Sequence, residues 1–340
     1  MRAFLGHHLI ADGYGNATVN ISREIALFDP GVSVIDMKVN GTLSRLNRDH
    51  WSVDGEAVML CPPYWLANLT AGAIASYTMY EATVLPEEFV GAINTYAARC
   101  IVPCSWCADV FESNGVRVPL QVTPLGIDGS EFRPVDRSDH AGPYTFLWSG
   151  TGDRRKGWDI AYRAFMQAFG RDPDVRLILH FRNDLVGAIG FGDPNVKKLV
   201  GRLTRRAWLE LLGQADCFVF PSRGEGWGLP PREAAATGLP VIVTDHSGLA
   251  VDIVEWAIPL RVAGYSPANF TVFGQCGEWA EPDVAQCAEL MQWVYLNQAE
   301  ATRLGDRASF FLREMTPWSV TARGVISALN AIGNREVVMA

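Results

Sequence analysis

The chain has 340 residues, 49% apolar and 19% charged, which suits two ordinary hydrophobic cores and excludes disordered and collagenous classes. Its formal charge of −8 is uneven: residues 1–140 hold 9 Lys and Arg against 16 Asp and Glu, and residues 141–340 hold 20 against 21. The front half therefore repels polyanions, which weighs against duplex DNA or an anionic membrane as the main partner.

No stretch reaches ~18 uninterrupted apolar residues, so no transmembrane segment is expected. The opening MRAFLGHHLIADGYGN meets two histidines and an aspartate too early for a signal peptide. Seven cysteines, an odd number with no such leader, point to a reduced, cytoplasmic setting.

Along the chain, strands are predicted near 2–6, 32–37, 57–61, 73–79, 99–103 and 120–124, with helices near 16–28, 86–98 and 105–114. Residues 125–143 are polar, rich in Gly and Pro and without period, so a boundary is expected there, between a first domain at 1–135 and a second at 136–340. Strands then follow near 144–149, 175–181, 216–220 and 240–244, with helices near 157–169, 204–214, 230–237 and 249–256. The C-terminal third reads as helices only, near 284–297, 300–314 and 317–332. Alternation of this length implies parallel sheets covered on both faces, with ligands at the carboxyl ends of strands.

The most informative string is PSRGEGWGLPPREAAATGLPVIVTD, which follows the strand DCFVF. It places Glu225 in a Gly-rich turn and Glu233 in the first turn of the next helix. Gly224, Gly226 and Gly228 let a ligand approach the backbone. Pro230 and Pro231 open a helix whose free N–H groups suit a diphosphate. Two acids beside such a helix end make sense as acceptors for sugar hydroxyls.

This string closely resembles the E-x7-E region of retaining glycosyltransferases of the GT-B architecture, in particular the family-4-like enzymes. FLWSGTGDRRKGWDIAYRAF (146–165) resembles the first strand, loop and helix of their C-terminal domain. CIVPCSWCADVFESNGVRVPLQVTPLGIDGSEFRP (100–134) resembles the end of their N-terminal domain, and GEWAEPDVAQCAELMQWVYLNQAEATRLGDRA (277–308) their closing helices. Residues 1–98 match least. The resemblance implies an α/β fold with two Rossmann-like domains facing a central cleft, and a last helix that crosses back to the N-terminal domain.

The resemblance also implies site residues. Glu233 would bind the donor ribose and Glu225 the donor hexose. Lys156 would neutralise the diphosphate as it leaves, which is electrostatically sound because that group gains charge. The family's further basic residue, five positions earlier, is Thr151 here, and either Arg154 or Arg155 would replace it. Gly150, Gly226, Trp227, Gly228 and Leu229 complete the donor side. Gly13, Tyr14, Gly15 and Asn16 match the Gly-rich loop facing phosphate and acceptor. Glu81, after a strand and before a Pro-capped helix, is placed on the acceptor side. The histidine that the family often carries after a mid-domain strand is missing from LCPPYW (60–65); His7 and His8 lie near the first strand end.

The implied activity is transfer of a hexose from a nucleoside-diphosphate sugar, UDP or GDP, to a hydroxyl of a small molecule or glycan, with retention and without metal or cofactor. Three alternatives compete. One is transfer to a hydroxylated base in DNA, which the acidic front half opposes. Another is a radical-SAM-type iron–sulfur site at Cys100, Cys104 and Cys107, whose spacing could hold a cluster. The third is a sugar-nucleotide-binding protein without turnover. The Asp172-Pro-Asp174 string imitates a metal-binding Asp-x-Asp but reads as a turn.

Overall fold

The computed structural model describes residues 1–8, 13–38, 49–137, 142–183 and 190–333. The chain forms two units: Met1–Gly126 with Ala268–Gly277 and Thr316–Ala340, and Ile127–Pro267 with Glu278–Met315.

The first unit begins β1 (Arg2–Gly6), α1 (Gly13–Phe28), β2 (Val32–Asp36), β3 (Trp51–Leu60) and β4 (Leu69–Tyr77). It continues α2 (Glu87–Tyr96), β5 (Arg99–Val102), α3 (Ser105–Ser113) and β6 (Leu120–Val122). Its strands form one parallel sheet in the order β2-β1-β3-β4-β5-β6. The chain leaves β1 towards one edge and returns through β3 towards the other, so the sheet has a switch point between β1 and β3.

The second unit contains β7 (Tyr144–Gly150), α4 (Trp158–Phe169), β8 (Val175–Phe181), β9 (Val196–Val200), α5 (Arg205–Gly213) and β10 (Cys217–Phe220). After these come α6 (Leu229–Ala236), β11 (Val241–Thr244), α7 (Ile253–Trp256), β12 (Ile258–Leu260), α8 (Val284–Leu296) and α9 (Gln298–Met315); between β12 and α8 run β13 (Val262–Phe270) and β14 (Gly274–Pro282), whose joined ends, Ala268–Gly277, belong to the first unit. The second unit's parallel sheet runs β12-β11-β10-β7-β8-β9. Every residue of CFVF in β10 and VIVT in β11 is buried, as near-continuous apolar strands covered on both faces require. Thr204 caps α5 by accepting from the Ala207 amide at 3.2 Å, and Asp283 caps α8 by accepting from the Gln286 amide at 3.0 Å. Finally α10 (Trp318–Gly333) belongs to the first unit, packed against α1, β3 and β4.

The predicted alternation of strands and helices is present, with corrections. β3 and β4 start earlier than predicted. The helix expected at 249–256 is a 3-10 turn, Ser247–Leu249, followed by α7. Gly13–Asn16, expected as a loop, are the first residues of α1. The C-terminal third is not all helical, since β14 occupies the start of the 277–308 segment, and β9, β12 and β13 were also unread. β13 and β14 pair as a two-stranded sheet. A bare hairpin is marginal in water, and this one is anchored by its tip. Within the first unit Phe270 stacks on Tyr80 at 5.3 Å between centroids, and Phe273 meets Phe89 edge-on at 5.3 Å.

Candidate functional site

In the second unit the chain winds outward from β7 through β8 to β9, then restarts at β10 and winds the other way. The switch point therefore lies between β7 and β10, and the loops leaving their carboxyl ends share one crevice. Lys156 comes from the first loop and Glu225 from the second.

Backbone contacts stitch these loops together. The Arg223 amide donates to the Arg155 carbonyl at 2.7 Å, and Arg155 Nη1 donates to the Gly224 carbonyl at 2.8 Å. Gly157, which ends the 3-10 turn Arg154–Lys156, has φ 72°, and a Cβ there would sit 1.8 Å from the Pro221 carbonyl oxygen. Only glycine permits both the left-handed backbone and this approach.

Lys156 Nζ lies 2.6 Å from Glu225 Oε1, and both side chains are buried. Arg155 Nη1 stands 3.3 Å from the same oxygen, and Ser222 Oγ donates to it at 2.9 Å. Burial disfavours the Glu225 charge, but Lys156, Arg155 and the hydrogen bonds outweigh it and hold the carboxyl below its ordinary range. Burial and the neighbouring Arg155 push the Lys156 ammonium below the usual lysine range, against the pull of Glu225 and Asp153; Arg182 adds to the push. Three cations, Arg155, Lys156 and Arg182, thus face two carboxylates, Glu225 and Asp153. The excess positive charge suits an anion.

Of the two candidate arginines, Arg155 turns towards Glu225, whereas Arg154 is exposed and pairs with Glu281 at 3.3 Å. Thr151 donates to Asp153, and Gly150 packs against the Trp148 ring and Lys156. Arg223 was not singled out by the sequence, yet it is 2% exposed and binds both oxygens of Asp159 at 2.8 Å and both of Glu281 at 2.9 Å.

Past Glu225, Gly226, Trp227 and Gly228 lead to Leu229, the first residue of α6. Gly228 takes φ 87°. Arg232 lies between the Trp227 and Trp256 rings, at 4.0 and 4.3 Å, and donates to the Trp227 and Gly248 carbonyls, which fixes this loop. Glu233 is the fifth residue of α6, one residue deeper than predicted and at the start of its second turn. Its carboxylate is buried; Arg205 Nη1 donates to Oε1 at 2.9 Å and Trp208 Nε1 to Oε2 at 2.9 Å. Arg205 also reaches Glu131 at 2.8 Å. Nothing in the local sequence pointed to Arg205 or Trp208, whose partner lies 28 and 25 positions away.

In the first unit, Gly13, Tyr14, Gly15 and Asn16 begin α1, just after β1. Tyr14 Oη is 3.2 Å from Thr78 Oγ1, and burial raises its phenol. Asn16 accepts from Asn20 at 2.9 Å through both its backbone and side-chain oxygens. Glu81 is within electrostatic reach of Tyr14 and Cys107, so the carboxyl end of this sheet gathers Tyr14, Thr78 and Glu81. His7 is buried, and His8 is exposed beside Asp36.

The iron–sulfur alternative does not fit. Cys100 lies within β5, Cys104 precedes α3 and Cys107 is inside it. All three are buried, and burial pushes the Cys100 and Cys107 thiols up, away from the thiolate a cluster needs. Among the described residues, no three His, Cys, Asp or Glu side chains converge as a metal site. Asp172 and Asp174 form a turn, in which the Asp174 amide donates to the Asp172 side chain at 2.9 Å. No described helix is long and apolar enough to cross a membrane.

The fold has counterparts among solved structures. The chain superposes on Anabaena Alr3699/HepE in complex with UDP-glucose with a TM-score of 0.67 and 15% identity, covering 97% of this chain and 99% of that one. A sucrose-phosphate synthase from Thermosynechococcus elongatus gives 0.67 and 15% identity, covering 99% of each. The chain has the GT-B fold. Within it, residues 192–309 match the family described as Glycosyl transferases group 1. That stretch runs from before β9 into α9 and contains Glu225 and Glu233.

Among curated relatives, a D-inositol 3-phosphate glycosyltransferase of Pseudarthrobacter chlorophenolicus is 28% identical over 64% of this chain and 51% of the relative. Its counterpart in Arthrobacter sp. is 30% identical over 44% of this chain and 40% of the relative. The chain spans about half the length, or less, of these relatives. The resemblance read from the string around Glu225 thus agrees with the GT-B fold.

Proposed function

We propose that this chain is a glycosyltransferase that moves a hexose from a nucleoside-diphosphate sugar to a hydroxyl acceptor, retaining the anomeric configuration. The observation that carries this reading is the trio Lys156, Arg155 and Glu225 at the β7/β10 switch point, with Glu233 on the helix that follows Glu225 in the chain. Cation excess at one end fits a diphosphate, and a fixed carboxylate at the other fits a ribose. The UDP-glucose complex of a protein with the same fold supports a uridine nucleotide, with GDP as the second choice.

In this reading, the bond between the anomeric carbon and the diphosphate oxygen breaks, and Lys156 and Arg155 stabilise the negative charge that the leaving group acquires. The acceptor oxygen forms its bond on the face that the diphosphate leaves. The acceptor proton passes to the departing phosphate oxygen, so no enzyme base is consumed. Glu225 accepts a hydrogen bond from a hexose hydroxyl. As a covalent nucleophile it would be poor, because Lys156, Arg155 and Ser222 already hold its charge. Tyr14 and Glu81 of the first unit are assigned to the acceptor, a neutral small molecule or glycan. The site takes no metal.

A thermal-shift panel of UDP-, GDP-, ADP- and TDP-sugars tests the donor. A ligand at ~100 times its Kd stabilises by ~2.7 kcal/mol. For the best binder, release of nucleotide should then be followed with candidate hydroxyl acceptors, and the product anomer read by NMR. Binding without any turnover, even to water, leaves a sugar-nucleotide-binding protein; an inverted product removes retention.

A further inference from the structure

Glu233 is buried on α6, and two N–H donors from α5 hold it: Arg205 Nη1 to Oε1 and Trp208 Nε1 to Oε2, each at 2.9 Å. A donor on each oxygen, from two directions, fixes the plane of the carboxylate. Trp208 is 8% exposed, so its ring cannot swing away without opening the core. Arg205 is itself set in place, with its guanidinium 4.4 Å from the Phe132 ring centroid and its Nε 2.8 Å from Glu131.

The charge balance matters as much as the geometry. Arg205 is divided between Glu131 and Glu233, whereas the Lys156 end of the site gathers several cations. A carboxylate repels phosphate and accepts hydrogen bonds from hydroxyls.

We propose that Arg205 and Trp208 are positioning residues that present Glu233 to a ribose diol, making the site select ribonucleotides over deoxyribonucleotides. This deepens the proposed function and rests on its reading of Glu233 as the ribose carboxylate. A preset carboxylate avoids the cost of ordering a mobile side chain on binding. A site built to accept from hydroxyls binds the analogue that lacks them more weakly, because the hydrogen bonds to the charged carboxylate are then missing.

Isothermal titration of UDP and GDP, each beside its 2′,3′-dideoxy analogue, tests this on the full chain. In the wild type the preferred diphosphate should bind about tenfold or more tighter than its dideoxy form, the range expected for hydrogen bonds to a charged group. In Trp208→Phe, which keeps the ring but loses the N–H, and in Arg205→Met, the ratio should fall below about threefold. Affinity for the dideoxy analogue should stay within about twofold, since that ligand never used the carboxylate. Arg205→Lys should restore part of the ratio.

The inference is overturned if the variants keep the wild-type ratio, or if both ligands weaken in equal proportion, which would mean a structural role only. Failure of the wild type to discriminate overturns the reading of Glu233 itself, and failure to bind either nucleotide overturns the proposed function. These outcomes are distinguishable from a failure confined to Arg205 and Trp208.

Discussion

Glu225 and Glu233 share one string of sequence and are both buried, but they should fail differently. Glu233 is assigned to the ribose, which changes little as the glycosidic bond breaks, so its contact is uniform binding. Glu233→Gln should raise the donor KM and weaken binding of the bare nucleotide, by roughly 10–150-fold for a hydrogen bond worth ~1.5–3 kcal/mol. Glu225 is assigned to the hexose, where positive charge builds, so Glu225→Gln should lower kcat and leave nucleotide affinity nearly unchanged. Steady-state kinetics and calorimetry check the pair, with circular dichroism as a control on the loop. Equal loss of nucleotide affinity in both variants would refute the assignment.

Lys156 adds a pH dependence. Its ammonium titrates below the usual lysine range because burial and Arg155 disfavour the charge. As pH rises through that lowered value the site loses a cation, so kcat/KM should fall at a pH below the ordinary lysine value of ~10.4. Glu225, held below its own ordinary range, stays ionised throughout. Lys156→Arg should move that alkaline limb upward, and a limb that does not move assigns the titration to another group.

The places of Glu225 and Lys156 after strand ends, and of Glu233 on the helix that follows, were legible because glycines, prolines and an apolar strand mark them locally. Arg205, Trp208 and Arg223 were not, because their partners are distant in sequence and nothing near them signals the contact.

At the scale of elements, the legible ones are those whose burial is two-sided or periodic, such as CFVF in β10 and WDIAYRAFMQAF in α4. β9 (VKKLV) hides behind two lysines at a sheet edge, and β12 (IPL) contains a proline, which an edge strand tolerates. β13 (VAGYSPANF) carries Gly264 and Pro267 and does not read as a strand; Phe270 and Phe273 anchor the hairpin by packing on Tyr80 and Phe89.

The loop joining Lys156 to α4 makes a sharper case. Gly157→Ala meets the Pro221 carbonyl and a left-handed backbone at once, so the two site loops must separate. It should cost at least ~1–3 kcal/mol and most of the activity. Gly91→Ala is the opposite case. Gly91 is exposed within α2, and a Cβ there meets nothing within 4 Å, so the variant should stabilise by ~0.5–1 kcal/mol with activity intact. Thermal unfolding and turnover of both variants check the contrast, and a Gly157→Ala protein as active as the wild type would show that the loops do not need this approach.

At the scale of the whole molecule, the acidic balance of −8 makes the few places of positive excess informative. One is the end of the second unit's sheet, where Arg155, Lys156 and Arg182 outnumber Glu225 and Asp153. Glycosyl transfer away from a diphosphate requires compensation of the charge that grows on this leaving group, which a divalent ion or fixed protein cations can supply. Here the cations are built in, so nucleotide binding should be insensitive to chelation. Calorimetric affinity for UDP or the UDP-sugar should agree within about twofold with and without EDTA. It should instead weaken with added salt, because a diphosphate held by ion pairs competes with the added anions. Abolition of binding by EDTA, with recovery on adding Mg²⁺ or Mn²⁺, would mean that Lys156 and Arg155 do not suffice and that the charge balance of this site has been misjudged.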